Sequence, residues 1–138
     1  MRNTILNELQ QEMKDELYPG NTNYDIGTTG VYRGVYQFAE VAAKPCICIA
    51  LDRDVLVREY AGYQTRGLYL IVYGYAETTE DIHMLAKDTE YFFLNDYSKK
   101  NDMGIGDLEF IEGKENESNT CYFDIDIKIQ YNQKINSI

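Results

Sequence analysis

The spacing of apolar residues predicts two amphipathic helices. Over residues 3–18, apolar side chains recur every three or four positions and polar side chains fill the opposite face, until Pro19-Gly20 ends the pattern. Residues 79–97 repeat this pattern, and Thr78-x-x-Asp81 resembles a capping box at its start. The apolar positions of the two segments are Ile5, Leu6, Leu9, Met13 and Leu17, and Ile82, Leu85, Ala86, Phe92 and Phe93.

Continuous and alternating apolar runs predict the strands. Residues 46–51 are apolar on both faces, which is typical of a strand inside a sheet, and residues 31–36 suggest a short strand before a helical turn over 37–43. Residues 67–76 place aliphatic side chains on one face and tyrosines on the other. The tyrosine face is too aromatic to be left in water, so we expect something to cover it.

The last third of the chain predicts a hairpin. A short strand over 108–111 and a polar turn over 113–119 precede a strand in which apolar and polar residues alternate from Tyr122 to Tyr131. Residues 132–138 are polar and predict a flexible tail. Gly104-Ile105-Gly106 matches no nucleotide-binding motif and is interpreted as a turn.

Together these elements predict one α+β domain spanning residues 1–138. Its sheet is expected to be mostly antiparallel, with about four strands and two main helices packed on one face. The other face would carry the tyrosines and the acidic residues of the last strand. Residues 52–66 alternate only partly, and they are interpreted as a projecting hairpin arm that carries Arg53, Arg58 and Arg66.

Arginine and tyrosine are enriched where proteins meet, so these side chains are candidates for a subunit or partner interface. The full set of candidates is Arg33, Arg53, Arg58, Tyr60, Tyr63, Arg66, Tyr69, Tyr73 and Tyr75. An acidic neighbouring subunit would suit the arginines, whereas ordinary solubilising charge is the alternative. The 13 tyrosines favour protein contact, although the base composition of an AT-rich genome would also raise their number.

The net charge of -10 restricts the classes of partner that the chain can bind. An acidic domain is repelled by phosphate, which disfavours tight nucleic-acid binding and binding to anionic membranes. No apolar run approaches the length of a membrane span, and residues 1–17 lack the apolar segment of a signal peptide, so we expect a protein that is made and kept in a cytosol.

Catalytic and metal chemistry find little support in the sequence. Cys46 and Cys48 would share one strand face as small buried residues, and a metal pair would need further ligands, for which only Cys121 and His83 remain. His83 is interpreted as a surface or boundary residue. Two carboxylates on one strand, those of Asp124 and Asp126, fall short of a calcium site. We therefore expect no catalytic residues, no metal and no cofactor.

Residues 31–97 resemble a known family. Tyr32-Arg33-Gly34, Phe38-Ala39-Glu40-Val41, Lys44-Pro45-Cys46-Ile47 and the strand from Gly67 to Tyr75 resemble, in order and register, the tail-terminator (tail-completion) proteins of long-tailed bacteriophages, in particular those with contractile tails. Cys46 and Cys48 depart from the aromatic or β-branched residues that are commoner there. So does the stretch Ala42-Ala43-Lys44, where an acidic-aromatic stretch is usual.

The resemblance implies a non-enzymatic virion protein that assembles as a homo-oligomeric ring, typically a hexamer. Such a ring ends the growth of the tail tube, contacts tube, sheath and neck proteins, and lets DNA pass without specific binding. It would be assembled in the host cytoplasm and located in the tail or neck. A head-tail connector on the capsid side is the first alternative, and a small enzyme or ligand-binding α+β domain is the second.

Overall fold

The structure of this chain is a computed structural model. It describes residues 1–34, 44–115 and 118–135, with the backbone alone for 111–115 and 118–121. Within these residues it has an α+β fold, in which one five-stranded sheet carries two α-helices on one of its faces. The helices are α1 (Arg2–Glu16) and α2 (Thr79–Tyr91), and the strands are β1 (Gly30–Arg33), β2 (Cys46–Tyr60), β3 (Tyr63–Ala76), β4 (Met103–Glu115) and β5 (Ser118–Lys134).

The sheet is mixed, with strand order β1-β2-β3-β5-β4. Only β1 runs parallel to its neighbour, and the pairs β2–β3, β3–β5 and β5–β4 are antiparallel. The expected α+β class, the helices on one face and the mostly antiparallel pairing are therefore confirmed. The described residues form five strands where about four were expected. Strand β4 is also longer than predicted, because it runs over Met103–Glu115 where only 108–111 were expected.

The helix-covered face of the sheet holds the main core. Leu68, Leu70 and Val72 of β3 are buried there, beside the inward-facing isoleucines of β5. The apolar residues of both helices predicted by their spacing are buried against them. Thr78 begins α2 as expected, since its Oγ1 accepts a hydrogen bond of 3.1 Å from the amide of Asp81. A π-helical turn, Phe92–Asp96, extends α2 and packs Phe92 and Phe93 into the core.

One glycine in this core has a clear packing reason. Gly74 lies directly opposite Phe123 on the neighbouring strand, and both are buried. A Cβ atom added to Gly74 would stand 2.0 Å from Cε1 of the phenylalanine ring. The ring therefore occupies the space that a side chain at position 74 would need, and it covers the bare backbone of β3.

A buried carboxylate joins α2 to the loop between α1 and β1. Asp88 is 2 % exposed, and it accepts hydrogen bonds from the amides of Asp25 at 2.7 Å, Ile26 at 2.9 Å and Gly27 at 2.9 Å. Three amide donors give a buried charge the compensation that it needs. The sequence pattern gave no indication of this carboxylate or of its partners.

Three predictions about loops and ends are wrong in whole or in part. Gly104-Ile105-Gly106 is not a turn but the start of β4, where the pairing with β5 shifts register between Ile105 and Leu108. Residues 132–134 are not a flexible tail, because they continue β5 and pair with Tyr63, Gln64 and Thr65 of β3. Of the turn expected over 113–119, residues 113–115 and 118–119 are strand instead and pair within the β4–β5 hairpin, whereas 116–117 lie outside the described residues. The helical turn expected over residues 37–43 and positions 136–138 of the expected tail also lie outside them.

Candidate subunit interface

The middle of the sheet extends past both edge strands as a three-stranded arm. The last partner of β1 on β2 is Ile49, and the last partner of β4 on β5 is Ile129. Beyond these points β2, β3 and β5 are the strands that continue to pair among the described residues, and we call residues 52–67 and 130–134 the arm. The sequence predicted a hairpin arm over 52–66, and the structure adds the end of β5 as its third strand.

The tip of the arm is a two-residue turn. Ala61 and Gly62 both have positive φ angles, 45° and 83°, which is the requirement of the hairpin turn whose twist matches that of the strands. The amide of Ile135 donates a hydrogen bond of 2.8 Å to the carbonyl of Gly62. The end of β5 is thus attached at the tip itself, and the three strands reach it together.

A polar cluster fixes the base of the arm on its helix side. Nε of Arg66 and the hydroxyl of Tyr131 donate hydrogen bonds of 2.9 Å and 2.6 Å to the two carboxylate oxygens of Asp54. The side chain of Asp54 is 7 % exposed. The hydrogen bond to Asp54 raises the pKa of Arg66, whereas burial is the main cause of the raised pKa of Tyr131. Each residue comes from a different strand, so the cluster holds all three strands in register.

The arm tip exposes large apolar and aromatic side chains. Tyr60 and Tyr63 pair across the turn and are 49 % and 47 % exposed, and Leu56 and Val57 are exposed to a similar degree. The guanidinium carbon of Arg58 lies 5.0 Å from the ring centroid of Tyr60. Exposed apolar groups concentrated in this way on one projecting element are typical of a surface that a partner covers.

The face of the sheet opposite the helices, which we call the open face, carries the tyrosines. Tyr75 stacks between Tyr73 at 6.4 Å and Tyr122 at 5.9 Å, measured between ring centroids. Cys46 and Cys48 are fully buried in the same cluster, as small apolar residues sharing one face. A hydrogen bond with Cys48 and burial raise the pKa of Cys46, so its thiol is protonated and unreactive at neutral pH.

Beside the tyrosines lies an acidic strip formed by Glu109, Asp124 and Asp126. Glu109 of β4 is the direct cross-strand partner of Asp124, and Asp126 follows two positions later on the same face of β5. Burial raises the pKa of Asp124, and the charges of Glu109 and Asp126 raise it further. The charged form of Asp124 is therefore disfavoured in the strip, and a cation bound there would stabilise it.

A groove of about 380 Å³ adjoins this strip on the open face. Asp126, Tyr69, Arg53 and Lys128 are among the residues that line it. Cζ of Arg53 lies 4.4 Å from the centroid of the Tyr69 ring, and Nζ of Lys128 lies 5.5 Å from it. Gly104 lines the groove, and a Cβ atom added there would meet nothing within 4 Å. The arrangement offers cations, an aromatic ring and a carboxylate within one shallow depression.

The structure separates the predicted interface residues into three groups. Arg58, Tyr60 and Tyr63 are exposed at the arm tip, and Arg53, Tyr69 and Tyr73 lie on the open face. The remaining three are engaged within the chain. Arg66 belongs to the cluster around Asp54, Arg33 donates a hydrogen bond of 2.9 Å to Oδ1 of Asn7, and Tyr75 is only 6 % exposed.

Sequence reasoning missed Glu109 and Asp54 as members of these sites. The alternation of β5 was recognised, but the register that places Glu109 beside Asp124 depends on a shift in β4 that no pattern indicated. The pairing of Arg66 with Asp54 crosses two strands joined by a tight turn. A hairpin turn recognised at Ala61-Gly62 would have been the one usable signal for that pairing.

The described residues contain no candidate metal-binding group, since no three His, Cys, Asp or Glu residues among them are grouped so that they could hold a metal ion. His83 is exposed, and its ring centroid lies 4.3 Å from that of Phe110. Of the helices in the described residues, none has the length and apolar character required to cross a bilayer.

The fold and these surfaces define an α+β protein with two separate candidate contact surfaces, the arm tip and the open face. A scan against models of known protein families and a search of curated protein sequences both find no match for the chain.

Proposed function

We propose that the chain is a structural virion protein that forms a homo-oligomeric ring at the end of a bacteriophage tail tube. In this role it terminates the tube and joins the tail to the head. The proposal combines the resemblance of residues 31–97 to tail-terminator proteins with the distribution of contact surfaces on the fold.

The observation that carries the proposal is that the arm tip and the open face are different surfaces of one subunit. A ring needs head-to-tail contacts, in which one surface of a subunit binds a different surface of the next. The arm tip has exposed apolar groups with a cation, whereas the open face has tyrosines and an acidic strip. Two unlike and complementary surfaces favour this type of assembly over a twofold dimer.

The charge of the chain agrees with a channel for DNA. A net charge of -10 over 138 residues repels phosphate, so a ring of such subunits would let DNA pass without adsorbing it. The same charge disfavours a function in which the protein holds nucleic acid.

The test is to measure the mass of the purified chain by light scattering, alone and with tail tubes assembled from the tube protein of the same genome. We expect a defined ring in solution, or on the tube ends by electron microscopy, and tubes that stop growing when the chain is added. A chain that stays monomeric and leaves tube growth unchanged would rule the proposal out. Cross-linking in virions to tube protein rather than to portal protein separates a terminator from a head-side connector.

A further inference from the structure

Arg58 is the arginine of the arm that has no carboxylate partner. Arg53 lies 3.9 Å from Asp52 and Arg66 lies 2.9 Å from Asp54, whereas Arg58 takes part in no ion pair with any residue that the structure describes. Its guanidinium lies against the ring of Tyr60, and both residues line a cleft with Met1, Lys99 and Asp102, none of which forms an ion pair with Arg58. A cation held against an exposed tyrosine at a projecting tip is well placed to bind a carboxylate of another molecule.

The acidic strip is the matching surface. Glu109, Asp124 and Asp126 form no ion pair among the described residues, and burial, followed by repulsion from the charges of Glu109 and Asp126, raises the pKa of Asp124. An arriving guanidinium would relieve this repulsion. In addition, the groove beside the strip has room for an aromatic ring, and its lining includes Arg53 and Lys128, which already lie over the ring of Tyr69 and could attract a second ring.

The spacing of the two surfaces agrees as well. Arg58 and Tyr60 are two positions apart on β2, as are Asp124 and Asp126 on β5, and Asp126 lines the groove. An arm that lies along the open face can therefore place Tyr60 in the groove while Arg58 reaches the strip. Since Arg53 and Lys128 repel another cation, Arg58 is directed to the acidic end.

The two surfaces cannot meet within one subunit. Arg58 pairs with Thr65 of β3, and Asp124 pairs with Tyr73 of the same strand. These eight positions along one strand correspond to about 26 Å, at roughly 3.3 Å per residue. The strand is continuous between them, so the distance is fixed, and the partner of each surface must be on another molecule.

We propose that the arm tip of one copy of this chain docks on the open face of the next, with Arg58 on the acidic strip and Tyr60 in the groove. This inference rests on the proposed ring, and it names the contact that closes it. The occupant of the open face is thus a second copy of the same chain, recognised by charge complementarity and by the groove.

Charge exchange tests the contact. Arg58→Glu and Asp124→Lys are each expected to weaken self-association at least about tenfold, as loss of a close charge pair does at other interfaces. An equimolar mixture of the two variants is expected to assemble again, with the variants alternating, because each faulty surface then meets a matching one. Lys14→Glu on the exposed side of α1 makes the same change of charge as Arg58→Glu and is expected to have no effect on self-association. Sedimentation velocity measures self-association in the two variants, in their mixture and in the Lys14→Glu control.

Filling the groove gives a second test that leaves the charges unchanged. Gly104→Val is expected to fold normally, because its Cβ meets nothing within 4 Å, and to lose self-association because Tyr60 can no longer enter. Thermal denaturation of each variant checks that the subunit is folded.

The outcomes separate this inference from the proposed function. Rings of normal strength in Arg58→Glu, Asp124→Lys and Gly104→Val would overturn the docking contact and leave the ring intact. A wild-type chain that assembles neither alone nor on tube ends would overturn both. If rings form only on tube ends, the same variants are compared by their binding to tubes, with the same expected order.

Discussion

The two faces of the sheet differ in what covers them: helices of the same chain cover one face, and the other is partly exposed. On β3, Leu68, Leu70 and Val72 are buried under helices of the same chain, whereas Tyr69, Ile71 and Tyr73, between them in sequence, remain partly exposed on the open face. Both sets lie on one strand and differ only in which way they point. The comparison shows that one strand with alternating side chains builds the core with one set of residues and leaves the other set available, in the proposed ring, for association.

The largest expected difference between the two faces comes from removing one aromatic ring from each. Phe123→Ala empties a fully buried site on the helix-covered face and is expected to lower the free energy of unfolding by about 3–5 kcal/mol. Tyr73→Ala on the open face is expected to cost about 1 kcal/mol, because its ring is only partly buried, yet to weaken self-association. Urea denaturation gives both values. Equal losses would contradict the distinction between the faces.

Removing one carboxylate from each face tests the same difference between the faces. Asp88→Ala removes the acceptor of three amide hydrogen bonds on the helix side and is expected to cost about 3 kcal/mol, since the amides of Ile26 and Gly27 are left without a partner. Asp126→Ala on the open face serves as the control and is expected to change the free energy of unfolding little, because its side chain is exposed. Chemical denaturation of both variants measures the difference, and an Asp88→Ala variant as stable as Asp126→Ala would refute it.

A single methyl group should also distinguish the faces. Gly74→Ala on the helix-covered face places a Cβ atom against the ring of Phe123 and is expected to cost about 1–3 kcal/mol through overpacking. Gly104→Ala on the open face meets nothing and is expected to be neutral or slightly stabilising. Thermal denaturation compares the two, and Gly74→Ala combined with Phe123→Leu is expected to recover part of the loss. No recovery would show that the ring is not the obstacle.

The smallest expected effect is that of Asp124→Asn, which should stabilise the isolated subunit slightly at neutral pH. Burial and the charges of Glu109 and Asp126 raise the pKa of Asp124 in the folded state above its unfolded value, so its charged form lowers stability at neutral pH. As the pH falls through the folded pKa, the wild-type carboxyl takes up a proton and the advantage of the variant disappears. Melting temperatures of both proteins across this pH range test the sign. A variant less stable than wild type at neutral pH would contradict it.

The sequence predicted those parts of the fold that depend on local periodicity. The stripes of α1 and α2, the buried run at the start of β2 and the two-faced pattern of β3 and β5 follow from the order of residues alone. What failed depends on pairing between distant segments. Residues 132–134 are polar and look like a tail, but they form strand because β3 offers them a free edge at the arm. The acidic strip needs the register of β4 against β5, which a shift after Ile105 decides.

The continuity of β3 and β5 has a consequence for assembly. Both strands run without interruption from the tyrosines of the open face to the arm tip, and the cluster around Asp54 joins them midway to β2. A load applied to the tip is therefore carried by hydrogen-bonded backbone to the surface at the other end. In the proposed ring, capture of one neighbour at the tip would therefore stiffen the surface offered to the next, and growth towards a closed circle would be cooperative.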